Sequence, residues 1–323
     1  MTTTPFEGLN MHLGLSQLLS FLERHQDAPH LVLVTVVAVE GSSYRKPGAL
    51  MLIGPDDTFQ GMVSGGCLEQ DLALRARDVF DSGRATRFTY DLRDEDQAPW
   101  GLGLGCNGVI HLMLQRLDRD SGFGFLPFLS SSLGKRHSCA LHLVTASTDS
   151  DIDLGSFAIS SQAGDFHTDC DALAPQQLQQ AAWQAKGRSA IAELIVGDGA
   201  IELLRVMIEP SPRILVCGGG PDAVPLAAQV RSLGWECVVI DHRPAYAEPG
   251  RFADGVEVIT ARPGDLGRHV DLAEISAAMV MSHNLDHDHA YLEQLLKADL
   301  AYTGVLGPAH RRERLIMRGS CPG

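Results

Sequence analysis

The sequence predicts an α/β protein, an N-terminal α+β domain followed by a C-terminal parallel-sheet domain, and three observations carry that expectation. Arg213 to Val216 is a short apolar run that ends in Cys217-Gly-Gly-Gly-Pro-Asp-Ala223. Gly218, Gly220 and Ala223 fit G-x-G-x-x-A, a helical pattern runs from about Asp222 to Leu233, and a second apolar run, Trp235 to Ile240, ends in Asp241. Strand, glycine turn, helix, strand and acid, in that order, make a Rossmann-like unit with Asp241 where a ribose-binding acid belongs. Upstream, Glu209-Pro-Ser-Pro-Arg213 places two prolines where neither helix nor sheet continues, which sets the domains at 1–209 and 210–323. Before that break, strands and helices mix without strict alternation, the pattern of an α+β domain.

Bulk properties agree with two ordinary globular domains. A chain of 323 residues with 45% hydrophobic and 20% charged residues buries a core in each. Its 26 basic and 40 acidic side chains leave a net charge of −14, which argues against generic binding to nucleic acid or an anionic membrane. The longest strongly apolar run, Leu31 to Val39, is too short to span a bilayer. Met1-Thr-Thr-Thr-Pro-Phe-Glu lacks the basic start and apolar core of a signal peptide. Seven cysteines without a C-x-x-C pair read as reduced thiols of a cytoplasmic protein.

In order, Leu13 to His25 reads as an amphipathic helix and His30 to Val39 as a buried strand. Glu40-Gly-Ser-Ser-Tyr-Arg-Lys-Pro-Gly48 is a polar turn carrying the cations Arg45 and Lys46. Strands Ala49 to Ile53 and Thr58 to Val63 continue as a meander, joined at Gly54-Pro-Asp-Asp57. The second of them runs into Ser64-Gly-Gly-Cys-Leu-Glu69, after which Leu68, Leu72, Ala76, Val79 and Phe80 mark one face of a helix stopped by Asp81-Ser82-Gly83. Glycines at a strand-to-helix turn let a ligand approach backbone N–H groups, and a helix start favours anions and thiolates. Gly65 and Gly66 are therefore candidate phosphate contacts and Cys67 a candidate thiolate. The same features also describe a tight turn around a small buried thiol.

Arg84 to Leu92 reads as a strand, followed by a second glycine-rich turn, Trp100-Gly-Leu-Gly-Leu-Gly-Cys-Asn-Gly108, presenting Cys106. Strand Val109 to Leu114, helix Phe123 to Ser132, strands Ser138 to Thr145 and Gly155 to Ser161, and helix Pro175 to Lys186 come next. Ala190 to Val196 and Ala200 to Ile208 pair around the hairpin signal Gly197-Asp-Gly199.

In the second half the alternation continues with strands Val256 to Thr260, Ala277 to Ser282 and Ala301 to Leu306, and helices Asp286 to Ala298 and Arg311 to Arg318. Ligands of open α/β sheets sit at the carboxyl ends of the strands, so Gly218, Gly219, Gly220, Asp241, Ser282, His283, Gly304 and Gly307 are expected to line one crevice. His287 and His289 face different directions on a helix and read as a polar helix start, not metal ligands. Arg311-Arg-Glu-Arg314 reads as a solvated helix face.

Together, Gly41-Ser-Ser-Tyr-Arg-Lys-Pro-Gly-Ala49, Ser64-Gly-Gly-Cys-Leu-Glu69, Gly105-Cys-Asn-Gly108 and the C-terminal glycine fingerprint resemble the XdhC/CoxI family, over about Leu13 to Arg318. The resemblance implies a cytoplasmic, homodimeric accessory factor that binds molybdenum cofactor, supports its sulfuration through a cysteine desulfurase, and inserts it into the apo-form of a molybdenum hydroxylase such as xanthine dehydrogenase. The residues that suit such a cofactor are Arg45, Lys46, Gly65, Gly66, Cys67, Glu69, Cys106 and Asn107, with a thiolate at Cys67 or Cys106 as the candidate to ligate or shelter molybdenum and the C-terminal crevice as the candidate place for a nucleotide extension. The resemblance leaves open which cysteine meets the metal. The rival expectations are an NAD(P)-dependent oxidoreductase, drawn from the glycine fingerprint, and a non-catalytic adaptor between desulfurase and dehydrogenase. Tyr44, Ser64 and Pro308-Ala309 depart from the family pattern, where proline, glycine and serine-arginine are usual, and relatives often continue beyond the equivalent of Gly323.

Overall fold

A computed structural model describes residues 14–93, 108–173, 183, 189–196, 199–298 and 300–319. The chain divides into two compact units, Gly14–Pro210 and the part from Ser211 onward.

The first unit opens with α1 (Leu15–Arg24) and builds a five-stranded antiparallel sheet from β1 (His30–Gly41), β2 (Leu50–Ile53), β3 (Phe59–Gly61), β4 (Thr86–Asp91) and β5 (Gly108–Asp118), in the order β3-β2-β1-β5-β4. Strands β1 to β3 form the meander expected from the sequence. Leu31 to Val37 of the central strand β1 are all buried, so this strand reads as a continuous apolar run, the pattern of a strand covered on both faces. One face carries Val32, Val34 and Val36, with Met51, Ile53, Ile110 and Leu112 beside them. Against it packs α2 (Glu69–Ser82) through Leu72, Ala76 and Val79, its apolar positions three or four residues apart. The helix stops at Gly83, held at φ 69°, where the glycine N–H donates to the Val79 carbonyl at 3.0 Å.

A second antiparallel sheet of the same unit follows α3 (Leu126–Gly134). It contains β6 (Cys139–Ser147), β7 (Phe157–Ser161), β8 (Phe166–Thr168), β9 (Ser189–Val196) and β10 (Gly199–Ile208), in the order β8-β7-β6-β10-β9. Strand β8 is not expected from the sequence, because three residues are too few to establish an alternation. The β9–β10 pairing has the register of a tight hairpin, Gly199 opposite Val196, while Gly197 and Asp198 lie outside the described residues. So does the helix expected over Pro175 to Lys186, Trp183 apart.

The second unit is a parallel sheet in the order β13-β12-β11-β14-β15, formed by β11 (Arg213–Cys217), β12 (Glu236–Asp241), β13 (Val256–Thr260), β14 (Ala277–Val280) and β15 (Tyr302–Val305). Helices α4 (Ala223–Ser232), α5 (Leu266–His269), α6 (Leu285–Leu295) and α7 (Ala309–Gly319) connect or follow the strands. Leu215, Val238, Ile240 and Val280 pack toward Tyr291 and Leu295 on one side. Val216 and Val239 pack toward Ala223, Ala227 and Val230 on the other. Covering both faces is what a parallel sheet requires, and the unit is Rossmann-like as expected. Among the described residues no helix is long and apolar enough to cross a membrane.

Leu72→Ala removes a side chain with no solvent exposure from the contact between α2 and the sheet, and is expected to cost about 2–5 kcal/mol in urea denaturation. Leu74→Ala, on the same helix but 56% exposed, is expected to change stability by less than about 0.5 kcal/mol.

Candidate functional site

Register brings the turns flanking Gly41 and Gly108 to one end of the first sheet, and the turn after Gly61 leaves level with Val34 of the central strand. Gly41, the last residue of β1, pairs with Gly108, the first of β5; Val109 pairs with Asp91, the last residue of β4; and Gly61, the last of β3, pairs with Met51. The polar turn after Gly41 and the glycine turn after Gly61 therefore leave the sheet in the same direction. Gly61 has φ 104°, and a side chain there would run into the Leu50 carbonyl.

The turn 62–68 is organised by Glu69, the first residue of α2, which is only 3% exposed. Its Oε1 accepts the N–H groups of Val63 at 3.1 Å and Ser64 at 2.9 Å. Its Oε2 accepts the Ser64 hydroxyl at 2.6 Å and the Leu68 N–H at 3.2 Å. Ser64 Oγ in turn accepts the Gly66 N–H at 3.2 Å, and the Cys67 thiol donates to it at 3.5 Å. The family motif suggests Glu69 as a ligand contact; both of its oxygens are instead engaged inside the turn, and its role here is to position it. The helix begins at Glu69, with Leu68 as N-cap, so Cys67 precedes the first turn. Its thiol is half-buried and packs against the apolar core beneath α2.

Gly65 and Gly66 are exposed above this braced base. Gly66 has φ 105° and open space where a side chain would stand, a cradle that only glycine leaves free. Over Gly65 lies the ring of Tyr44, whose Cδ2 would be 3.1 Å from a Cβ added there, and the ring is 69% exposed. Arg45 is partly buried, which lowers its pKa, while the charge of Glu69 opposes that shift. Lys46 beside it is exposed. Tyr44 is the contact that sequence reasoning misses; its signal is an aromatic ring set next to two cations in a polar turn. Cys106 and Asn107 lie outside the described residues, but Gly108 is pressed against the β1 end, where a Cβ would stand 2.5 Å from the carbonyl oxygens of Glu40 and Ser42.

A half-buried thiol, an exposed aromatic face, a glycine cradle and two cations form a donor set that fits a flat heterocycle carrying phosphate and a soft metal. Molybdenum cofactor has those parts.

In the second unit the strand order changes direction between β11 and β14, and the expected crevice lies at their carboxyl ends. Gly218, at φ 119°, donates to the Ile240 carbonyl at 2.8 Å, and a Cβ on it would sit 2.6 Å from the Met281 carbonyl oxygen. Gly219 donates to Asp241 Oδ2 at 2.8 Å. Asp241, 1% exposed, also accepts the Arg243 backbone N–H at 2.9 Å and its guanidinium at 2.9 and 2.7 Å. Burial acts to raise its pKa, but the hydrogen bonds from Arg243 and Gly219 prevail and bring it down to about 2. A Cβ on Gly220 would lie 3.7 Å from the His283 ring, and that ring bonds Asp222 Oδ2 at 2.8 Å. His283 holds a left-handed backbone at φ 61°.

Ser282 gives its N–H and hydroxyl to Asp288 Oδ1, at 3.2 and 2.5 Å, and the fully buried Asp288 receives Arg311 on Oδ2 at 3.1 and 2.5 Å. Arg311 thus corrects the reading of its segment as a wholly solvated helix face: a buried carboxylate on α6 draws it inward. Gly307, at φ 136°, leaves room for the Arg311 side chain. Gly304 is a residue within β15 opposite Met279, so it lies in the sheet and not on the rim. Asn284 Oδ1 caps α6 by accepting from Asp286 and His287, the polar helix start expected there.

Glu69→Ala leaves buried N–H groups of the turn without an acceptor and is expected to cost about 1–3 kcal/mol per lost partner, read by urea denaturation, with faster amide exchange at Ser64 and Leu68. Because folding holds the Asp241 pKa below its ordinary value, its contribution is complete above about pH 4 and declines as pH falls toward about 2. The stability of Asp241→Asn, relative to wild type, is therefore expected to improve as pH is lowered through that window.

The sequence matches the family model described as the XdhC and CoxI family over residues 25–91, and that of the XdhC Rossmann domain over residues 214–320. It is 33% identical over 308 residues to a protein of Bacillus subtilis (strain 168) described as a probable xanthine dehydrogenase subunit, covering 95% of this chain and 86% of the relative. It is 38% identical over 87 residues to the molybdenum cofactor insertion chaperone PaoD of Escherichia coli (strain K12), covering 27% of this chain and 26% of that one. A crystal structure from Bacillus halodurans, described as a xanthine dehydrogenase, superposes with a TM-score of 0.77 at 29% identity, covering 96% of this chain and 86% of its own. On both its halves and along nearly its whole length, the chain belongs to the XdhC and CoxI family.

Proposed function

We propose that this protein is a molybdenum-cofactor chaperone: it binds the cofactor at the end of the N-terminal sheet, shields it, and yields it to the apo-form of a molybdenum hydroxylase of the xanthine dehydrogenase type. The observation that carries the reading is the meeting of Tyr44, Arg45 and Cys67 around the exposed glycines Gly65 and Gly66, on a turn braced by buried Glu69. The names borne by the Bacillus and Escherichia relatives support the same reading.

In this proposal Arg45 and Lys46 hold the phosphate, and the backbone of Gly65 and Gly66 approaches it without side chains in the way. The Tyr44 ring stacks on the pterin. The Cys67 thiol, half-buried against the core, offers sulfur to the metal end and limits access of water. The bound group supplies the dithiolene-held molybdenum on which the client hydroxylase depends. Cys106 and Asn107 belong to the proposal through their motif. So do a cysteine desulfurase as sulfur donor, a homodimer and a cytoplasmic setting. An open, shallow cradle on a stiff base suits transfer, since a chaperone must release what it holds.

The test is to load purified protein with molybdenum cofactor and measure retained pterin by fluorescence after oxidative release. Tyr44→Ala, Arg45→Ala and Cys67→Ala are each expected to lower retention about tenfold, the scale of one lost stacking, ionic or ligand contact, whereas Tyr44→Phe is expected to retain it. Retention unchanged in all three alanine variants overturns the proposed site. Wild-type protein that retains no cofactor and does not restore activity to apo-hydroxylase overturns the chaperone reading.

A further inference from the structure

We infer that Asp222 closes the C-terminal crevice to the pyrophosphate of a dinucleotide, so that the Rossmann-like unit of this chain is not an NAD(P) site. In a βαβ nucleotide site the pyrophosphate rests on the start of the helix that follows the glycine turn, held by free backbone N–H donors and the helix dipole. Part of that inventory is already spent here. The Gly218 N–H is given to Ile240, the Gly219 N–H to Asp241, and the Ala223 N–H to the Gly220 carbonyl. Pro221 and Pro225, on either side of the helix start, have no N–H to give.

An anion already stands in the remaining space. Asp222 is the N-cap residue of α4, and its Oδ1 would lie 2.7 Å from a Cβ on Gly220, the glycine a pyrophosphate must approach. His283 fixes the other oxygen, Oδ2, at 2.8 Å, while Oδ1 is buried with no hydrogen-bond partner among the described residues. A phosphate entering here meets a carboxylate beside Gly220, and the like charges repel.

The ribose anchor is taken as well. Both oxygens of Asp241 are engaged by Gly219 and Arg243. The segment after β12 is also clamped over the turn: Arg251 donates to the carbonyls of Gly219 at 2.8 Å and Tyr246 at 2.7 Å. A side chain on Gly219 would meet that Tyr246 carbonyl. The chain's own groups thus occupy both places where a dinucleotide is held. The inference stands apart from the cofactor site proposed in the N-terminal unit, and removes the oxidoreductase alternative.

Full-length protein is titrated with NADH by fluorescence, and with NAD⁺, NADP⁺ and ADP by calorimetry. Wild type is expected to show no saturable binding into the millimolar range, and Asp222→Glu to behave the same. Asp222→Asn is expected to gain affinity by about tenfold, and the double variant Pro221→Ala/Asp222→Ala, which restores an N–H and removes the charge, to gain more. Micromolar binding by wild type overturns the inference. So does a double variant with unchanged circular dichroism and melting temperature that binds no more tightly than wild type. Pterin retention on the same samples reports the N-terminal proposal separately.

Discussion

The carboxylate of Glu69, buried beneath a turn that would otherwise have no reason to hold its shape, is the interaction on which the candidate site depends. Ser64-Gly-Gly-Cys67 has two exposed glycines, and glycines lose the most conformational freedom on ordering. The compensating contacts come from below: Glu69 collects N–H groups from Val63, Ser64 and Leu68 and the Ser64 hydroxyl, and Ser64 passes the bracing on to Gly66 and Cys67. The glycines stay open to a ligand because the work of holding them is done by a group that faces inward. Helix α2 then ties this brace to the core through Leu72, Ala76 and Val79.

The C-terminal unit uses the same device twice. Asp241 holds the glycine turn after β11 through Gly219 and is itself held by Arg243, and Asp288 holds the turn after β14 through Ser282 and is held by Arg311. A buried carboxylate needs partners for its charge, and backbone N–H groups in tight turns need acceptors, so each satisfies the other. The consequences differ between the units. In the first, the braced turn leaves its glycines exposed and holds the Cys67 thiol half-buried beside them. In the second, bracing takes up the N–H groups of Gly218 and Gly219 and both oxygens of Asp241.

Much of this is legible in the sequence because the signals are local. The glycine fingerprint, the proline break at Pro210 and Pro212, and the one-face pattern of α2 each depend on residues within a few turns of one another. The meander of β1 to β3 follows from short polar turns between apolar runs. Glu69 and Arg311 are misread for one reason: a charged side chain is assigned to the surface or to a ligand unless its partner is known, and the partners here are backbone amides of a turn and a carboxylate on another helix. Tyr44 is not legible as a contact because only the folded turn sets it over Gly65.

The sequence by itself determined the two-part architecture, the parallel sheet of the second half, the family, and which turns are candidates for chemistry, since these rest on spacing and residue type within continuous segments. Tertiary structure decided what those turns can do. Strand direction points the turns after β1 and β3 the same way, and the folded turns set Tyr44 over Gly65 and Arg45 within reach of the Glu69 charge. Pairing across about sixty residues between Asp222 and His283, and the clamp of Arg243 on Asp241, are contacts within the glycine fingerprint that no local spacing reveals. The physical reason is that a hydrogen-bonding group can be spent only once, and which partner it is spent on is settled by the fold.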